Sequence, residues 1–152
     1  MGVLRFFVIL ALSMMLVGCG TDNNAVDTNE DIDYSMISSS SNSLDQSSAN
    51  QAKEKLKKYE DITKIHAVSH SKKLLVAFEI KHHKRFQLAE LNKKVQKKLD
   101  KEFPDLKVEV STDKKLVLEL KTLEEKIENQ DISAKKLKKE VNRLIKLKKD
   151  KT

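Results

Sequence analysis

The sequence predicts an α+β domain in which a small three-stranded sheet is covered by helices, in the order α-β-β-α-β-α-α. Three observations predict it. Two stretches alternate apolar and polar residues across a short polar turn, a third follows the chain's single proline, and the segments around them carry apolar stripes at helical spacing.

The elements follow in order. Residues 52–59 place Leu56 and Tyr59 at helical spacing among lysines and predict a short leading helix. From Ile62 the period drops to two: Ile62, Lys64, His66 and Val68 oppose Thr63, Ile65, Ala67 and Ser69. Leu74, Val76, Phe78 and Ile80 then oppose Leu75, Ala77, Glu79 and Lys81, and the short polar stretch 69–73 between the two strands makes them a hairpin. Residues 86–103 return to a period of 3.6, with Phe86, Leu88, Leu91, Val95, Leu99 and Phe103 on one stripe and Lys93, Lys94, Lys97, Lys98 and Lys101 opposite. Pro104 ends that helix, because the residue before a proline is pushed out of the helical region. Leu106-Lys107-Val108-Glu109-Val110 alternates again as a third strand.

Residues 114–127 read two ways, since Leu116-Val117-Leu118 suits a strand while Leu116, Leu120, Leu123 and Ile127 recur at helical offsets. The longer pattern favours a helix, with Ser111, Thr112 and Asp113 ahead of it as candidate caps. After a break at 129–131, Ser133 caps a last helix defined by Leu137, Val141, Leu144 and Ile145. If the second and third strands are parallel, the helix between them makes a right-handed crossover.

The first eighteen residues have a different character. One charge, Arg5, precedes an apolar run from Phe6 to Val17, too short to span a bilayer comfortably and expected to be cleaved as a signal peptide. The run closes in Leu16-Val17-Gly18-Cys19, which resembles the lipobox of bacterial lipoproteins, with Leu16, Val17 and Gly18 leading to the acceptor thiol. Cys19 is the chain's sole cysteine, so no intramolecular disulfide is open to it. Acylation with diacylglycerol and a further fatty acid such as palmitate is the use expected, and two or more acyl chains hold a protein stably on a bilayer.

Charge divides what remains. Residues 19–52 carry six acids and no Lys or Arg, whereas residues 53–152 carry 29 Lys plus Arg against 17 Asp plus Glu. With its Ser38-Ser39-Ser40-Ser41-Asn42-Ser43 run, 19–52 is expected to be a disordered acidic linker, and 53–152 a single basic domain.

The whole chain resembles the YhcN/YlaJ family of sporulation lipoproteins. The likeness takes in the lipobox, the low-complexity linker and the domain. Its most specific stretch is Leu106-Lys107-Val108-Glu109-Val110-Ser111-Thr112-Asp113, a "VxVSxD" strand end followed by a helix and preceded by a Pro-Asp boundary like Pro104-Asp105. The chain departs from the family in its turns, where Ser69 to Lys72 and Asn129-Gln130-Asp131 replace glycines, and in its wealth of lysine. The resemblance implies a protein of the spore envelope or forespore membrane, acting in spore maturation or germination, with no catalytic residues to carry over.

Gly2, Gly18 and Gly20 are the only glycines, so the domain has none. A P-loop, a dinucleotide fingerprint and a nucleophile elbow each need glycine where backbone meets ligand or turns with positive φ, and these classes are excluded. His66, His70, His82 and His83 sit on or beside the hairpin with no second ligand type at a recognised spacing, so they read as solvent-facing or edge residues rather than as a metal site. No enzyme, cofactor or metal is expected. The remaining signal is the basic surface, best developed over 137–149 and its approach: Lys135, Lys136, Lys138, Lys139, Arg143, Lys146, Lys148 and Lys149. It reads either as a solvated face or as a surface for anionic lipids, wall polymers such as teichoic acids, or an acidic protein. Nucleic acid is disfavoured by export and by the lack of tryptophan. The expected location is the outer face of the cytoplasmic membrane. The alternatives are an accessory subunit or enzyme of envelope or cortex remodelling, and a plasmid-borne surface lipoprotein.

Overall fold

The structure, a computed structural model, describes residues 32–38 and 44–150. Among the described residues, four α-helices and three strands follow the expected order: α1 (Ser47–Leu56), β1 (Ile62–His70), β2 (Lys73–Ile80), α2 (Leu88–Glu102), β3 (Lys107–Ser111), α3 (Lys114–Glu128) and α4 (Ala134–Lys149), with a 3-10 turn at His82–Gln87 before α2. The sheet has the order β1-β2-β3, β1 and β2 antiparallel, β2 and β3 parallel, so α2 is the connection between parallel neighbours.

Helices cover both faces. On one side α1 and α2 bring Ala49, Ala52, Leu56, Val95 and Leu99 onto Ile65, Ala67, Leu74, Val76 and Phe78. On the other, α3 and α4 bring Leu116, Leu120, Leu123, Leu137, Val141 and Leu144 onto Val68, Leu75 and Ala77. A sheet buried on both faces explains why β2 reads as an almost continuous apolar run, Leu74-Leu75-Val76-Ala77-Phe78. The period of two is interrupted once. A register shift between Ile62 and Lys64 lets Ile62 and Ile65, three apart, reach the same core, as a bulge does by adding a residue to one strand.

The helix ends are set by local chemistry. Asp113 caps α3 by accepting from Leu116 N at 3.1 Å, and Ser133 caps α4 by accepting from Lys136 N at 3.4 Å. At the end of α3, Gln130 N donates to Ile127 O and Asp131 N to Lys126 O, the paired bonds of a Schellman ending. Gln130 takes the left-handed conformation there (φ 58°), and Ser71 takes it (φ 54°) at the first position of the two-residue β1–β2 loop. Both are places where glycine is preferred, and both lie where the sequence lacks the family's glycines.

Four expectations need correction. Phe86 is not on the α2 stripe: it is 79% exposed, because it lies in the 3-10 turn, whose three residues per turn break register with the α-helix that begins at Leu88. The boundary between linker and domain at 52/53 falls inside α1, which begins at Ser47. The described part of the 19–52 segment also packs into the fold, burying Ile37, Gln46, Ala49 and Ala52, because the open edge of β1 offers backbone groups that it satisfies. His66 does not face solvent; it is 2% exposed, beneath α3, while His82 and His83 are exposed.

Candidate functional site

The sheet's two outer strands have backbone groups that no neighbouring strand pairs, and specific residues take them up. Along β1, Asp33 N donates to Thr63 O and Ile65 N donates to Asp33 O, a short parallel bridge. Ala67 N donates to Glu124 Oε1 at 2.9 Å. Ser69 N donates to Gln46 Oε1 while Gln46 Nε2 donates back to Ser69 O, both at 2.8 Å. On β3, Gln96 of α2 does the same, its Nε2 donating to Val108 O and its Oε1 accepting from Val110 N, both at 3.1 Å. A third amide, Asn50, holds the 32–38 segment by pairing both ways with the backbone of Ile37 at 3.0 and 2.9 Å.

Where α1, β1 and α3 converge lies the buried polar centre of the domain. Glu124 Oε1 accepts from Lys53 Nζ at 2.8 Å as well as from Ala67 N, and Glu124 Oε2 accepts from His66 Nδ1 at 2.6 Å. Lys53 Nζ also donates to Ser35 O. The three side chains are at most 3% exposed. With Nδ1 donating to a carboxylate oxygen, the far nitrogen of His66, Nε2, is buried without a hydrogen-bond partner among the described residues. The helices place the charges deliberately: Lys53 sits one turn before Leu56 on the buried face of α1, and Glu124 lies between Leu120 and Ile127 on that of α3. A buried carboxylate with three donors binds a sheet edge and two helices together.

The basic helix is α4. Leu137, Val141, Leu144 and Ile145 are buried, and Lys135, Lys136, Lys138, Lys139, Lys146 and Lys149 are exposed. The other two candidates are engaged: Arg143 bridges Glu119 at 2.7 Å and Glu140 at 2.8 Å, and Lys148 meets Glu109 at 2.6 Å. Burial alone would raise the Glu109 carboxyl, but Lys148, with Lys107 and Lys149, outweighs it and holds the group below its ordinary value. Near the hairpin, partial burial followed by repulsion from Lys138 and Lys73 pushes His70 down. Lys94 and Lys98 lie over the ring of Tyr59, 5.6 and 5.2 Å from its centre, and occupy it as cation–π partners.

Among the described residues no group of His, Cys, Asp and Glu is arranged to hold a metal, and no helix is long and apolar enough to cross a membrane. Leu16, Val17, Gly18 and Cys19 lie outside the described residues. The model of one family, sporulation lipoprotein YhcN/YlaJ, matches residues 20–146. The chain belongs to that family. The match to YhcN/YlaJ covers everything from just after Cys19 to the last turn of α4, so the β3–α3 junction, the turns without glycine and the basic helix are features of a member of it. Comparison with curated proteins and with solved structures gave no match.

Sequence reasoning missed Lys53, Glu124, Gln46 and Gln96. A signal was present for two of them, since Lys53 and Glu124 are charges at positions where an apolar stripe passes; nothing local marks the glutamines.

Proposed function

We propose that this sporulation lipoprotein is a non-catalytic module of the spore envelope, held by acyl chains on Cys19 at the outer face of the cytoplasmic membrane or the forespore membrane, where it serves spore maturation or germination. The observation that carries the reading is the register of Leu16-Val17-Gly18-Cys19 at the end of an apolar leader, in a chain whose single thiol has no intramolecular disulfide partner. Family membership supports the setting.

The domain's chemistry supports a role in contact rather than turnover. Its most concentrated set of buried ionisable groups, Lys53, His66 and Glu124, is committed to holding elements together. Its exposed chemistry is cationic, on α4 above all, and suits polyanions of the envelope.

The test is membrane fractionation with intact-mass analysis of wild type and Cys19→Ala, followed through sporulation in a spore-forming host. The expected result is a membrane-bound wild type that begins at Cys19 and carries acyl mass, appears during sporulation, and loses that mass in Cys19→Ala. A soluble wild type that retains residues 1–18 overturns the proposal.

A further inference from the structure

We infer that the 3-10 turn His82–Gln87 is the domain's contact with the bilayer, its Phe86 ring entering the headgroup boundary while the cations around it lie over anionic lipid. The inference rests on the lipid-anchored reading above and adds to it which part of the folded domain meets the membrane.

A single exposed aromatic carries no meaning by itself. The surroundings of Phe86 do. It is 79% exposed, and the segment from Lys81 to Gln87 holds Lys81, Lys84, Arg85, His82 and His83 with no acid. His82, His83 and Arg85 are exposed with it. Of the acids close by in the chain or on the neighbouring strands, Asp61 lies 3.6 Å from Lys84 and Glu79 3.6 Å from Lys64; Glu60 is exposed, with Lys57 and Lys58 just before it in the chain, and Glu90 is exposed in the first turn of α2. An exposed apolar ring beside Lys84 and Arg85, in a segment without acids, has the composition of an interfacial membrane contact.

Its place in the fold supplies the occupant. Asp33 bridges to Lys64 in parallel with β1, so the chain before it leaves the domain at the N-terminal end of that strand. Ile62 pairs with Ile80, and Lys81 N donates to Asp61 O, so the turn carrying Phe86 lies at this same end of the sheet. The stretch from Cys19 to Ile32 spans at most about 45 Å, so of the two ends of the sheet this is the one tethered within direct reach of whatever holds Cys19. Proximity matters because surface charges act only over a Debye length of about 8–10 Å. A ring seated about 5–10 Å into the boundary would hold Lys84 and Arg85 within that range.

The chain has no tryptophan, so Phe86→Trp and Lys72→Trp each introduce a single reporter, one in the turn and one in the exposed hairpin loop at the other end of the strands. The acylated full chain of each variant is placed in vesicles of phosphatidylcholine with anionic phosphatidylglycerol, with and without brominated lipid. The expected result is a blue-shifted, bromine-quenched emission at position 86 and an unshifted, unquenched emission at position 72. An acylated Phe86→Trp chain with unmoved emission, or quenching at both positions, overturns the contact and leaves the anchor standing. A blue shift at 86 without bromine quenching assigns the ring to a protein neighbour and overturns it equally. If intact mass shows no acyl group, the lipid-anchored reading fails and the contact fails with it.

Discussion

His66 Nδ1 lies 2.6 Å from Glu124 Oε2, a bond that joins the sheet's outer strand to the helix above it with both side chains out of water. The same carboxylate holds Lys53 from the helix on the opposite face, so one residue ties both helical layers to the edge of β1.

Removing that carboxylate strands a buried ammonium. Glu124→Ala is expected to destabilise the domain by about 3–5 kcal/mol, because the lost partner leaves Lys53 uncompensated and the Ala67 N–H unpaired. Urea unfolding followed by circular dichroism measures it. The simultaneous change Lys53→Met, Glu124→Leu, His66→Phe should recover most of the loss, since a buried ionic cluster replaced by apolar residues of like volume is often neutral in stability.

The turns without glycine predict gains. Ser71→Gly and Gln130→Gly each place glycine where φ is 54° and 58°, and each should add about 0.5–1 kcal/mol, the left-handed penalty less the added freedom of the unfolded chain. Thermal melts of the single and double variants test this, and the two effects should sum, as the sites share no partner.

Acid should weaken the fold through His70. Its folded pKa is held down by burial and by Lys138 and Lys73, so the unfolded chain binds the proton more readily and stability is lost as pH falls below 6.5. His70→Asn should flatten the stability profile just below that pH. A second loss is expected at lower pH, where Glu109 is protonated and its bond from Lys148 is given up. Lys148→Met should shrink that second loss, because the Glu109 carboxyl is then no longer held as far below its unfolded value.

Gln96→Ala should cost about 1–3 kcal/mol by unpairing Val110 N and Val108 O, and should also make the protein associate as its concentration rises, which analytical ultracentrifugation detects.

Much of this architecture was legible because burial imposes a period. Leu116, Leu120, Leu123 and Ile127 recur over enough residues to outweigh the strand-like Leu116-Val117-Leu118, and α3 is a helix. Asp113 and Ser133 act where the sequence offers caps. What periodicity conveys poorly is a charge lying on the stripe. Lys53 stands in a run of lysines and Glu124 beside Glu125, and each looks like its solvated neighbours until the fold sets them 2.8 Å apart across 71 residues. Phe86 failed in the opposite sense, since its spacing to Leu88 and Leu91 presumes an α-helix that has not yet begun. The role of Gln46 depends on a strand edge 23 residues away, which no local pattern encodes.

The amides of Gln46 and Gln96 stand at opposite rims of the sheet, each filling the donor and acceptor that a further strand would use. The ladder is thereby finished at three strands. Molecules crowded into a two-dimensional film, as a shared anchor would crowd them, meet side to side at high local density, the condition in which open rims zip together. Here such zipping must first turn out two glutamine side chains already paired with their own backbone, so neighbours can touch repeatedly and still come apart.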